Sequence, residues 1–312
     1  MGFSAIESTI FREFLGIVVG ALGSGGAIVL TLRTFSQKDW SGVFRTYRSW
    51  LWMAPLPFLS VLAGREVTIA LASLLSIFVF REFANATGLS ADRWQTRLVQ
   101  LAIAVQAGVA ISCHPSLLNL DAYSHFMSMP AWVIGCLAVV PIAYNRVEGQ
   151  LRSVSLAVFG YLYFGWMFGH FAMLANLPNA ANLLLYLLFA VSVNDVAAFT
   201  CGKLFGQRKL RDQISPNKTI AGSVGALCVS LAMPWLLRFA LPGFTAIQLI
   251  LTGLIVGLGG QLGDLTISYI KRDLGMKDMG QLIPGHGGLL DRVDSLIFTA
   301  PLFFHMVRMF SV

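Results

Sequence analysis

The stretch GLIVGLGGQLGDLTISYIKRDLGMKDMGQLIPGHGGLLDRVDS, residues 253–295, opens as an apolar, glycine-spaced run. From Lys271 onward it carries Lys271, Arg272, Asp273, Lys277, Asp278, Asp291, Arg292 and Asp294. Only 12% of the 312 residues are charged and 56% are hydrophobic, so this concentration of ionisable groups marks where an apolar segment meets water. A soluble domain needs roughly a quarter of its residues charged to cover its surface. Lipid has to take that place here, and the mean hydropathy of +0.71 agrees. A charge at the bilayer centre costs about 2.5–3.5 kcal/mol, which puts these side chains at a membrane surface or in a wet cavity.

Working outward, apolar windows give about ten spans, near residues 14–32, 50–64, 67–80, 98–118, 126–145, 154–177, 180–200, 219–241, 243–268 and 295–312. The fold class is therefore all-α, a polytopic integral membrane protein with about nine or ten transmembrane helices. The second and third windows are short, and read as a tight helical hairpin turning at Arg65 and Glu66 or as a partly re-entrant pair. Alternating the spans places eighteen of the 22 Lys and Arg on one side, leaving Arg12, Arg65, Arg238 and Arg308 on the other. That bias makes the rich side cytoplasmic, with both termini outside, and the cell inner (plasma) membrane is the expected location. The formal net charge of +7 then belongs to loops facing anionic headgroups, and nucleic acid is not an expected partner.

The start, MGFSAIESTIFREF, lacks the short basic region of a signal peptide, and the run after it is long enough to remain a helix. Cys113, Cys136, Cys201 and Cys228 are scattered through apolar runs without metal or disulfide spacing. The chain reads as one membrane domain over 1–312, with N-terminal helices in 1–180 and catalytic helices and loops in 190–310.

The chemistry concentrates in three elements. On a helix, Asp264, Ser268, Lys271 and Arg272 share one face, and an intramembrane acid is a functional candidate by default. In PGHGGLLDRVDS, residues 284–295, Pro284 and the glycines exclude a regular helix, after which Asp291, Asp294 and Ser295 share a face at the start of the last helix. A helix dipole accounts for one or two of these acids. It does not account for Asp264, Asp291 and Asp294 together beside four cations, a pattern that suits phosphates with a divalent ion. The third element is ISPNKTIAGSVG, residues 214–225, where Ser215, Pro216 and Asn217 read as a turn or helix-start signal with Lys218 and Thr219 at the head of a span. An ordinary cap beside a snorkelling Lys has the same pattern. Asp195 is a further buried acid upstream. His286 reads equally as a general base, a phosphate donor or a structural residue of its glycine turn, and zinc is not expected because the other histidines are distant. There is no Walker sequence, and Gly253, Gly257, Gly259 and Gly263 read as close helix packing.

These residues resemble the signature of the phosphatidate cytidylyltransferases, or CDP-diacylglycerol synthases, in which a Ser precedes KR, KD, PGHGG and DRxD. NDVAAFTCGKLFGQRKLRDQISPNKT, residues 194–219, resembles the same family's Asp-bearing span, basic loop and SPxKT element, whereas the N-terminal half matches only in hydropathy and in Glu82 closing a span. The resemblance implies a cytidylyltransferase using CTP and phosphatidate, with Mg²⁺ or another divalent cation held by Asp264 and Asp291. It casts Asp264, Lys271 and Asp291 as catalytic. Ser215, Lys218, Thr219, Ser268, Arg272, Lys277, Asp278, His286, Gly287, Gly288, Arg292 and Asp294 would bind substrates. Membrane lipids and a second copy in a homodimer are the other expected partners. Two departures stand out: Ala221 replaces the family's usual Glu after SPxKT, and Phe199 its usual Tyr. They leave open a divergent member with another lipid acceptor or weakened activity. A transporter is the rival from another class, although the polar groups gather at one face and not at the midplane.

Overall fold

The structure is a computed structural model that describes residues 9–35, 44, 47–48, 51–52, 54–113, 120–280 and 288–310. Ten helices follow one another among them. They are α1 Thr9–Phe35, α2 Pro55–Ala63, α3 Arg65–Thr87, α4 Arg93–Ser112, α5 Leu120–Ala143, α6 Gln150–Asn176, α7 Ala180–Phe205, α8 Ile220–Leu236, α9 Ala246–Asp273 and α10 Leu290–Phe310. Seven of them, α1, α3, α5, α6, α7, α9 and α10, contain a stretch long and apolar enough to cross a membrane. The chain is an all-α integral membrane protein.

The short second and third windows resolve into unequal partners. α2 has nine residues and stops at Gly64, whose φ of +108° no side chain adopts readily. The turn is therefore at Gly64, and Arg65, expected in it, instead opens α3 and is buried. Its guanidinium donates to the carbonyl oxygens of Ile111 at 2.8 Å and Cys113 at 2.9 Å and to Asn176 Oδ1 at 2.5 Å, tying the ends of α3, α4 and α6. α3 itself runs to Thr87, beyond the expected residue 80, because Arg81 and Glu82 continue the helix until Gly88 ends it at φ +78°.

The basic loop is not the turn or helix start that its sequence suggests. Residues 209–211 and 215–219 form an antiparallel hairpin, β1 Lys209–Arg211 and β2 Ser215–Thr219. Ser215, Pro216 and Asn217 are extended, and residues 212–214 make the reversal. A two-stranded ribbon leaves each strand one free edge, where proline's missing N–H removes no ladder bond. Helix α8 does start where expected, with Thr219 Oγ1 accepting from the Gly222 N–H at 3.1 Å.

Two π-helical stretches, Tyr161–Met167 in α6 and Ile255–Gly259 in α9, interrupt the regular ladder. In lipid, displaced carbonyls need partners. Ser76 of α3 donates to Phe164 O, and Gln106 of α4 donates to Gly165 O at 3.0 Å while accepting from Tyr161 Oη at 2.9 Å. Around them Phe83, Phe159 and Phe164 pack ring to ring. Gly253 and Gly257 bring α9 against Leu227, Ser230 and Leu231 of α8, and Gly263 brings it against the α10 backbone at Asp294 and Ser295. These contacts set the depth at which α9 presents Asp264 to its neighbours.

Candidate active site

Four elements meet at one end of the bundle: α7, the β2–α8 junction, the end of α9 and the start of α10. Lys218 of β2 reaches Asp264 of α9, Nζ to Oδ2, at 2.5 Å. One turn further along α9, Ser268 Oγ donates to Asp264 Oδ1 at 3.2 Å. Another turn on, Lys271 Nζ meets Asp291 Oδ1 of α10 at 2.8 Å, and the Gly288 N–H donates to Asp291 Oδ2 at 3.3 Å. The face expected on α9 is thus shared out between two neighbours: Asp264, which also accepts from Ser268, pairs with Lys218 of β2, and Lys271 pairs with Asp291 of α10.

Between these two ion pairs lies a third acid. Asp294 is buried, accepts from the Ser295 N–H at 2.7 Å, and lies within electrostatic reach of Asp264, Asp195 and Asp291. Ser295 Oγ also donates to Asp195 Oδ1 of α7 at 3.4 Å, and Asp195 in turn senses Asp264 and Lys218. Four carboxyl groups therefore converge with two ammonium groups in direct contact, so that with all four ionised two negative charges would need a counter-ion.

Hard oxygen donors carrying that excess charge fit a divalent cation such as Mg²⁺. Asp264 and Asp291 border the cluster, while Asp195 and Asp294 lie beside and between them. Among the described residues no three His, Cys, Asp or Glu side chains already form a ligand set, and lysines hold two of the acids.

The other expected residues are distributed around this centre. Thr219 caps α8, and Ser215 pairs with Arg211 in the hairpin. Arg272 Nε donates to the Ile214 carbonyl at 3.4 Å, fastening the end of α9 to the hairpin turn. Lys277 and Asp278 are exposed on the segment after α9, with no ion pair among the described residues. Arg292 is exposed on the first turn of α10, and Gly288 lies just before it. His286 and Gly287 lie outside the described residues, as do Pro284 and Gly285.

Sequence reasoning left Glu82 without a role. It ends up buried near the end of α3, where its oxygens accept from the N–H groups of Leu289 at 3.0 Å and Leu290 at 2.8 Å. Helix α10 thus takes its N-terminal cap from another helix. A Cβ at Gly280 or Gly288 would collide with the Glu82 carboxyl group, so both glycines are needed for the close approach. The available signal was an acid inside an apolar run. Gln261 and Ser223 were also missed. They join α9 to α8 beside the site, with Gln261 Nε2 donating to Ser223 O at 3.0 Å and to Gly257 O at 2.8 Å.

The cytidylyltransferase family model matches residues 45–310. A protein named uncharacterized protein YnbB from Escherichia coli is 33% identical over 267 residues, covering 84% of this chain and 86% of that one. A phosphatidate cytidylyltransferase of Staphylococcus haemolyticus is 39% identical over 167 residues, which is 53% of this chain and 63% of that protein. One from Synechocystis is 43% identical over 136 residues, 42% and 45% of the respective chains. The matches to the two phosphatidate cytidylyltransferases thus span roughly half to two thirds of their length. With its charged cluster at one end of an apolar helical bundle, the chain belongs to the cytidylyltransferase family and is a nucleotidyltransferase by class.

Proposed function

We propose that the protein condenses CTP with phosphatidate to give CDP-diacylglycerol and pyrophosphate, with its charged loops on the cytoplasmic side. The observation that carries this reading is the convergence of Asp195, Asp264, Asp291 and Asp294 with Lys218 and Lys271 where apolar helices reach water. Two phosphate-bearing substrates repel each other until their charge is neutralised, and this end of the bundle concentrates the groups that do so.

In the reaction a phosphatidate phosphate oxygen forms a bond to the α-phosphorus of CTP. The bond from that phosphorus to the bridging oxygen breaks, and the electron pair leaves on pyrophosphate. The nucleophile is already an anion, so the protein's task is to position and neutralise. Lys218, at the head of α8, and Lys271, one helix away, hold Asp264 and Asp291 and would contact phosphates when these bind, and Arg272, Lys277 and Arg292 extend the positive field around them. Asp264 and Asp291, with Asp195 and Asp294 alongside, would hold a divalent cation, which when bound neutralises triphosphate charge. The lipid's acyl chains stay between the helices while its phosphate stays at the interface.

The test incubates purified protein with CTP, Mg²⁺ and phosphatidate and follows CDP-diacylglycerol by mass spectrometry. Product formation is the expected result. Its absence, with a related synthase active in parallel, removes the reading. Ala221 favours one variant of it: the second residue of α8 supplies no carboxylate next to Lys218, where the family usually has one. A panel of phosphorylated lipid acceptors in the same assay separates a changed acceptor from lost catalysis, because a changed acceptor yields a CDP-lipid from another member of the panel.

A further inference from the structure

A separate charged feature lies between the end of α3 and the start of α4. Arg81, Asn85, Arg93, Thr96, Arg97 and Gln100 line an open cavity of about 260 Å³. None of its three guanidinium groups has an ion pair or side-chain hydrogen bond among the described residues.

Left empty, this arrangement is unfavourable. Arg93 and Arg97 are four residues apart on one helix, a like-charge spacing that destabilises it. Both also lie in the first two turns of α4, the end where the helix dipole disfavours cations. The adjoining acid, Asp92, is the cap of α4 and accepts from the Gln95 N–H at 3.3 Å. Arg81 adds a third positive charge from α3. Anchoring to the bilayer surface requires cations near helix ends, yet it does not require three of them around one cavity, two of them at the wrong end of a dipole.

An anion in the cavity reverses each of these costs. Guanidinium forks match the oxygens of a phosphate, the start of α4 adds the positive end of its dipole, and the amides of Asn85 and Gln100 offer further donors. We propose that this cavity binds a phosphate group, supplied by a phospholipid headgroup at the bilayer surface. The inference uses none of the acids or lysines of the candidate active site, so it does not rest on the cytidylyl-transfer reading.

The experiment uses the purified full chain in neutral detergent, with bound lipid counted by native mass spectrometry. Short-chain phosphatidylglycerol is the probe, phosphatidylcholine the control whose choline the arginines repel, and inorganic phosphate the competitor. The expected result is that Arg93→Gln with Arg97→Gln weakens phosphatidylglycerol binding at least tenfold and leaves phosphatidylcholine unchanged. Arg93→Lys with Arg97→Lys should retain most of the affinity. Displacement of the lipid by inorganic phosphate at equal concentration assigns the site to free phosphate. Arginine-dependent binding without such displacement assigns it to the intact headgroup. If the double Gln variant keeps the wild-type unfolding temperature and binds phosphatidylglycerol equally well, the site does not exist. Should that variant unfold, Arg81→Gln alone repeats the comparison.

Discussion

Asp294 has the least favourable surroundings of any acid in the cluster. It is buried, flanked by Asp195, Asp264 and Asp291, and held by a single backbone N–H, with no cation in direct contact among the described residues. Buried like charges destabilise a fold unless an ion compensates them. Asp294→Asn is therefore expected to raise the unfolding temperature in a chelator-containing buffer. Adding Mg²⁺ should then stabilise the wild type more than the variant, a comparison that thermal denaturation of the two proteins decides without any assay of turnover. Equal shifts for both would take Asp294 out of the cation site. The two acids expected to hold the metal should behave differently from one another. Asp264→Asn relieves repulsion from Asp195 and Asp294 while loosening one partly exposed lysine, so its unfolding temperature should hardly change. Asp291→Asn strands Lys271, whose side chain is 14% exposed, and should cost about 3 kcal/mol. Both are expected to lower CDP-lipid formation by about 10²–10³-fold, the scale of losing one electrostatic contact to a transition state. Retained turnover in either variant would refute its role. These acids were legible in the sequence because a carboxylate beside an apolar run has few structural explanations. The lysines were legible too, but which acid each would meet was not, because Lys218 and Asp264 lie on different elements.

At the level of helices, the junction of α3 with α10 decides how the site is held. Leu289, just before α10, has no polar side chain to cap it, and Glu82 supplies two acceptors from α3. Asp291 and Asp294 follow within the next turns, so this cap sets where both acids stand. Glu82→Gln keeps the shape but turns one acceptor into a donor facing an N–H. The expected cost is about 1–3 kcal/mol in stability, together with a fall in kcat larger than the change in KM for CTP. Glu82→Asp, which keeps both acceptors on a shorter arm, should recover part of the loss. Wild-type kinetics in the Gln variant would show that the cap is dispensable. Helix positions followed well from hydropathy, since period and length are local properties. The hairpin 209–219 did not, because two short, basic strands, one with a proline, look like a loop until they pair.

For the whole molecule, the uneven distribution of Lys and Arg makes a directional prediction. In a variant lacking the four native cysteines, Cys placed at Gln213 in the hairpin turn should react with a membrane-impermeant maleimide only after the inner side is opened. Cys at Pro178, between α6 and α7, should react from outside. The reverse pattern would turn the site outward and remove access to cytoplasmic CTP. What the sequence by itself determined is the class of molecule and the kind of chemistry. Apolar runs of bilayer length exclude a water-soluble fold, and acids, lysines and glycines in close spacing suit a phosphate site. Both conclusions need only neighbours along the chain. Only the tertiary structure decided which lysine faces which acid, that Asp294 sits among three other carboxylates, and that Glu82 caps a helix more than two hundred residues away. Those facts depend on how helices lie against one another, which glycine-lined contacts between α8, α9 and α10 fix and which no local pattern encodes.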